Sequence, residues 1–296
     1  MRRASVAASA ALIVCSAGQA DAQGMLARVH RMTSDPGGIG TVDAAHAPDP
    51  GTVVAGSALD FASRPMMLGG DHLLRDRLQY RVALDPSLVF GLPSGFAVSA
   101  RVPFTLYDHG WRDDGSSISS AGLLSPSLAA LIPIARHPTS NARVSARGEV
   151  ILPAGKQGDY RGEGGFAGRL ELVFGGPIGP MHAVLSGGGY LAPDRTLDTA
   201  GFGHAVLVGA GLRIPDKSTV SVIGSLSSRF EVEGTKTATA LGAGGLEIRF
   251  GSTHLRGMIG SGAGDTPGTP ELWMGFSVLQ GIELFPGYEY FKPARH

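Results

Sequence analysis

Leu78-Gln79-Tyr80-Arg81-Val82-Ala83-Leu84-Asp85-Pro86-Ser87-Leu88-Val89-Phe90 is the stretch that decides the fold. Its apolar residues Leu78, Tyr80, Val82, Leu84, Pro86, Leu88 and Phe90 fall on one phase, with Gln79, Arg81, Asp85 and Ser87 between them. A repeat of two places the two sets on opposite faces of a β-strand. The same pattern follows after the break Pro93-Ser94-Gly95, where Phe96, Val98, Ala100, Val102, Phe104 and Leu106 alternate with Ser99, Arg101 and Thr105. Two such runs make a hairpin. Strands of this kind suit either a transmembrane β-barrel with a lipid-facing outer wall or an exported, soluble all-β protein.

Working outward, the chain from 53 to 278 parses into twelve such strands, at 53–61, 78–90, 96–106, 122–134, 142–152, 166–174, 181–191, 204–213, 219–230, 238–250, 254–260 and 272–278. The fourth is the least regular, because Leu128-Ala129-Ala130-Leu131-Ile132 is apolar in both phases. Short breaks follow the even-numbered strands and most longer ones follow the odd-numbered strands, as expected when tight turns face the periplasm and longer loops face outside. Most strands approach the roughly 9 to 11 tilted residues that cross a bilayer. Closure of the sheet pairs every backbone group and removes its edges. The expected fold is therefore an all-β, transmembrane antiparallel up-and-down β-barrel of twelve strands over residues 51–280, in the outer membrane. Two aromatic rims support it: Phe90, Phe96, Phe174 and Phe250 beside short turns, and Phe61, Phe104, Phe166 and Phe230 toward the longer loops.

Ahead of the strands, residues 1–22 read as a signal peptide: Arg2 and Arg3, a short apolar run, then Ala20-Asp21-Ala22 as a small-x-small cleavage site. The one cysteine, Cys15, lies in that leader, so thiol chemistry is not expected in the mature chain. Residues 23–50, with Asp35-Pro36-Gly37-Gly38 and no sustained period, read as an irregular periplasmic or surface lead-in, and 281–296 as a tail or additional strand. The 25 basic and 25 acidic residues cancel, so a nucleic-acid footprint is not expected.

If the apolar phase meets lipid, the other phase lines the lumen. It carries Arg81, Asp85, Arg101, Arg143, Arg147, Glu149, Arg169, Glu171, Arg213, Arg229, Glu231, Glu247 and Arg249. Such mixed charge can form a wet channel for small polar solutes. It can equally pair across strands into a sealed structural network. Display by the long loops is a third reading. On the polar phase, Arg101 and Arg147 stand mid-strand, with Asp85 and Glu149 as expected partners. Catalysis is not expected: Asp108, His109, His182, Ser186 and His204 form no nucleophile motif, and Gly224-Ser225-Leu226-Ser227 is not the Gly-x-Ser-x-Gly elbow, which leaves an outer-membrane hydrolase as the alternative. No cofactor is expected, and His30, His46 and His72 are too scattered to read as a metal site.

Three phrases, Leu59-Asp60-Phe61-Ala62-Ser63-Arg64-Pro65, Leu84-Asp85-Pro86-Ser87-Leu88-Val89-Phe90-Gly91-Leu92 and Ala100-Arg101-Val102-Pro103-Phe104-Thr105-Leu106-Tyr107, resemble the amino-terminal barrel of the myxobacterial-type OmpA-family outer membrane proteins. The stretch Pro270-Glu271-Leu272-Trp273-Met274-Gly275-Phe276-Ser277-Val278 is similar to that group's last strand. The resemblance implies outer-membrane lipid and lipopolysaccharide as surroundings and the barrel-assembly machinery as a partner in biogenesis. Many members continue into a peptidoglycan-binding domain that this sequence does not contain, so no anchoring role is carried over.

Overall fold

The computed structural model describes residues 30–68, 75–111, 115–155, 160–162, 164–193, 195–197, 200–232, 238–263 and 269–284. The leader read at 1–22, His72 and the tail beyond 284 lie outside them. The strands are β1 (Thr52–Leu68), β2 (Arg75–Gly91), β3 (Ala97–Arg101), β4 (Phe104–Trp111), β5 (Ser117–Leu123), β6 (Ser127–Arg136), β7 (Arg143–Ile151) and β8 (Ala167–Ile178). They continue with β9 (Met181–Leu191), β10 (Arg195–Leu197), β11 (Ala200–Phe202), β12 (Ala205–Ile214), β13 (Val220–Glu231), β14 (Ala238–Phe250), β15 (Thr253–Ala263) and β16 (Leu272–Glu283).

Fourteen of these form one antiparallel sheet, which closes on itself because β1 pairs with both β2 and β16. β3 and β4 both lie along β2 and are two halves of one stave, parted at Val102-Pro103. β5 and β6 are likewise one stave, parted by Leu124-Ser125-Pro126. The result is a closed barrel of twelve staves. Proline lacks the N–H that a central ladder needs, so Pro103 and Pro126 fall where the staves are interrupted. Both interruptions were missed by the alternation, which does not register a lost donor.

Several strands outrun their expected limits: β1 reaches Leu68 rather than 61, and β16 reaches Glu283, so the tail begins inside a strand. β4 and β5 also shorten the break read at 108–120, and the break at 192–203 holds the hairpin β10–β11.

The outer face is apolar, with Leu88, Leu170, Val222, Leu246, Ile259 and Phe276 exposed. Inward positions alternate with them: Ala83, Asp85, Ser87 and Val89 of β2 are buried while Leu88 is exposed. Hydrocarbon in place of water is the medium that suits such a wall. Trp273 points inward, opposite to Leu272 and Met274, as its phase requires. Near the longer-loop rim, Phe61, Tyr80, His109 and Tyr107 stack in a row on the outside, with ring centroids 6.1, 6.4 and 6.3 Å apart. A bulge at Leu106 turns both Leu106 and Tyr107 outward and lengthens that row.

The two-phase apolar run of β6 has its explanation inside the barrel. Leu131 faces inward and packs with Val54, Val89, Ala97 and Leu279 against Ala47.

Candidate functional site

The lumen is filled from within. Residues 30–47, expected as part of an exposed lead-in, lie inside the barrel instead, and Met32 and Ile39 are fully buried there. They form a plug that runs directly into β1 at the short-turn rim. Its fold is local: Asp35 Oδ1 accepts from the Gly37 N–H at 3.1 Å, and Ile39 and Val42 exchange backbone hydrogen bonds of 2.9 Å. Gly40 closes that turn at φ +59°, and a side chain there would strike Ser225. Thr33 Oγ1 donates to Asp43 at 2.8 Å and ties the two arms together.

The plug's apolar side, Met32, Ile39, Val42 and Ala45, packs against wall residues including Val173, Val184, Ile223, Leu241, Met258 and Trp273. Its backbone is held by arginines of the wall. Arg101 donates to Met32 O at 2.6 Å, Arg213 to Gly38 O at 3.2 Å, and Arg256 to Pro36 O at 2.7 Å. Ser145 Oγ donates to Ala45 O at 2.6 Å. These bonds satisfy carbonyls that no strand partner reaches, as a buried irregular backbone requires.

Charge pairing crosses the same boundary. Arg147 meets Asp43 at 3.1 Å, and Arg31 meets Glu149 at 2.5 Å, so the Arg147–Glu149 pairing expected within β7 gives way to two plug-to-wall pairs. The Arg101–Asp85 pair is present at 3.3 Å. Burial pulls Asp43 toward the neutral form, but the charges of Arg147, Arg169, Arg101 and Arg31 outweigh it and hold its carboxyl well below the usual range. Asp35 is pushed up to about 6, by burial first, with the Gly37 N–H opposing. Burial lowers both His30 and His46 to about 4, reinforced by Arg229 and Arg143 respectively.

The remaining lumen-phase residues sort into three groups. Arg169 pairs with Glu171 at 2.6 Å, and Arg229 with Glu231 at 2.5 Å, in the half of the lumen nearer the longer loops. Toward the short turns, Glu247 gathers Arg213 at 3.0 Å, Arg256 at 3.3 Å and His254 at 2.8 Å, with Arg249 at 3.8 Å. Arg143 stands half-buried at the short-turn end of β7. Arg81 belongs to the third group. It pairs with Asp108 at 2.8 Å, and the other carboxylate oxygen of Asp108 takes Arg161 at 2.7 Å.

Arg161 comes from the loop between β7 and β8 and reaches into the wall, where it also donates to the carbonyls of Ala121 and Ser120 at 3.0 and 2.8 Å. Strand β7 ends at Ile151, so these carbonyls of β5 have Arg161 where a neighbouring strand would stand. The loop is thus clamped inward beside the plugged lumen.

Of the residues weighed for catalysis, Asp108 faces the lumen and His109 the outside, so they diverge. Ser186 borders the plug, while His182 lies 3.6 Å from Asp216 at the short-turn rim. His46 lies beside His182 with ring centroids 6.3 Å apart, and His30 bonds Ser227 at 2.8 Å; among the described residues no group of histidine, cysteine and carboxylate side chains is placed to hold a metal.

No protein-family model matches the chain. No curated protein matches it either. Solved structures do: the COG4313 outer membrane channel from Pseudomonas putida F1 is similar with a TM-score of 0.67 at 12% identity, over 80% of this chain and 98% of that one. The translocator domain of the autotransporter NalP from Neisseria meningitidis follows at TM-score 0.42 and 11% identity, over 78% and 87%. Outer membrane phospholipase A from Escherichia coli has TM-score 0.38 at 11% identity, over 81% and 99%. At such identities the first likeness concerns architecture, and what it establishes is that this chain has the fold of a twelve-stranded outer-membrane β-barrel.

Proposed function

We propose that the chain is an outer-membrane channel for small polar solutes, closed at rest by its own residues 30–47 and opened when they leave the lumen. The observation that carries this reading is the ownership of the contacts. A charged wall of guanidiniums and carboxylates is capped by a separate stretch of backbone, so removal of that stretch leaves a polar, hydrated passage rather than a dry core. In this reading the wall meets outer-membrane lipid and lipopolysaccharide, and the barrel-assembly machinery inserts it. The OmpA-type phrases at 59–65, 84–92 and 100–107 support an OmpA-like barrel as the family reading.

A sealed structural barrel is the second reading, favoured by the doubly paired Asp108. Neither reading calls on catalysis.

The test is solute flux into liposomes carrying refolded protein, compared with a variant lacking residues 23–47. The channel reading expects slow, saturating entry of small sugars and amino acids with the parent and much faster entry with the deletion. Flux through the deletion alone, with a parent as tight as empty liposomes, overturns it in favour of the sealed barrel.

A further inference from the structure

We infer that the cavity left between plug and wall, in the half of the lumen nearer the longer loops, binds a small carboxylate. This deepens the channel reading by naming its solute class. The cavity has a volume of about 90 Å³. Liquid water occupies about 30 Å³ per molecule, so the space suits a solute of a few heavy atoms.

Its shape follows from strand register. Glu171, Gly188, Leu207 and Arg229 stand side by side across β8, β9, β12 and β13. Gly188 contributes no side chain, and one there would run into the backbone of Leu170 and Glu171. The row is therefore recessed between a carboxylate and a guanidinium. Arg229 is held in place twice: its Nε donates to Glu231, and its guanidinium lies over the Tyr190 ring, 4.4 Å from the centroid.

The hydrogen-bonding capacity left over is on the donor side. Both carboxylate oxygens of Glu149 are taken by Arg31, and Glu171 is taken by Arg169. Arg169, by contrast, engages Glu171 through its Nε, which leaves the Nη side of its guanidinium toward the cavity it lines. Buried His30 borders the same space from the plug; its Nδ1 is engaged with Ser227 Oγ at 2.8 Å, while its Nε2 has no partner among the described residues. With the Ser227 hydroxyl donating to Nδ1, Nε2 carries the proton and is a buried, unsatisfied donor at the cavity's edge. Hydroxyls of Ser186, Ser228 and Thr41 complete the polar rim.

Guanidinium groups cannot accept, so the complementary ligand is one whose polar end only accepts. A carboxylate does so in the planar, two-pronged geometry that guanidinium matches. Three guanidiniums border the cavity, and each is paired with one carboxylate, Arg31 with Glu149, Arg169 with Glu171 and Arg229 with Glu231, so the ligand is selected by the guanidinium geometry and not by a net charge. Ile151, Val42 and Leu207 supply the apolar side for a short alkyl end. A bound carboxylate touches plug and wall together.

Propionate is the probe, with propionamide as its uncharged counterpart of equal shape. Saturation-transfer NMR on the refolded full-length protein is expected to show saturable propionate binding, with propionamide at least tenfold weaker. Arg229→Gln and Arg169→Gln, each checked for folding by heat-modifiable migration, are expected to weaken propionate at least tenfold. Equal binding of propionate and propionamide, absence of saturable binding, or full binding by a folded Arg229→Gln variant overturns the site. Propionate binding without liposome flux retains the site and overturns the channel; flux without binding does the reverse.

Discussion

The plug and the Arg161 loop are held to the wall by the same chemistry, but in the plug, Arg31 apart, the arginines belong to the wall. In the plug, Arg101, Arg213 and Arg256 belong to the wall and donate to plug carbonyls. At the loop, Arg161 belongs to the loop itself, and the wall supplies Asp108 and the carbonyls of Ser120 and Ala121. The loop is joined to β7 on one side and β8 on the other and shares its carboxylate with Arg81 of β2. The plug, among the described residues, is joined to the barrel only through β1. The difference makes the loop a clamp on the wall and the plug a removable part.

The largest expected effect falls on the clamp. Asp108→Ala removes the carboxylate that pairs with both Arg81 and Arg161, and breaking a buried pair from one side costs about 3 to 5 kcal/mol. Urea unfolding of the refolded barrel is expected to show that loss as a lower midpoint, whereas deletion of the plug moves the midpoint far less. Equal losses would erase the distinction between the two regions.

Next comes the plug's own packing. Ile39 is fully buried against Gly211, and truncating a buried isoleucine costs about 2 to 5 kcal/mol. Ile39→Ala is therefore expected to raise the open fraction in bilayer recordings by tenfold or more while leaving the unfolding midpoint of the barrel in place. Arg213→Lys has a smaller effect. It keeps the charge beside Glu247 but loses the fork that reaches Pro36 and Gly38, worth about 1.5 to 3 kcal/mol when the donor is charged.

Acid sharpens the contrast further, with the smallest effect and a sign that can be inverted. His30 and His46, lowered to about 4 in the docked plug, contribute docking that is complete above about 6.5 and is lost as pH falls from there toward 4. Asp35, raised to about 6, acts the other way: its penalty is present above 6 and is relieved as pH falls toward its ordinary value. Asp43, held low, is silent between pH 5 and 7. Two histidines outweigh one carboxyl, so openings are expected to increase between pH 7 and 5. In the double variant His30→Gln, His46→Gln the trend is expected to reverse, because Asp35 remains. A parent trend that survives in the double variant places the titration elsewhere.

Alternation made the wall readable because every residue from Leu78 to Phe90 votes for one of two faces, and lipid outside and water or charge inside punish the wrong vote. The same logic placed Arg101 beside Asp85. Plug and clamp lie where period carries no information: Asp35-Pro36-Gly37-Gly38 and the loop bearing Arg161 are irregular, and their partners lie more than a hundred and some forty positions away in sequence. One signal was available. The lumen phase holds eight arginines, from Arg81 to Arg249, against the five carboxylates Asp85, Glu149, Glu171, Glu231 and Glu247. Buried guanidiniums need acceptors, and the missing ones were Asp43, Asp108 and backbone carbonyls of the plug.

Tethering tests the removable plug most directly. Thr41 Oγ1 lies 3.3 Å from Ser225 Oγ, close enough for a disulfide in the double variant Thr41→Cys, Ser225→Cys. Single-channel recording under oxidising conditions is expected to show no openings, with openings restored by reductant to the parent's frequency. Openings that persist at that frequency with the disulfide formed would contradict the account.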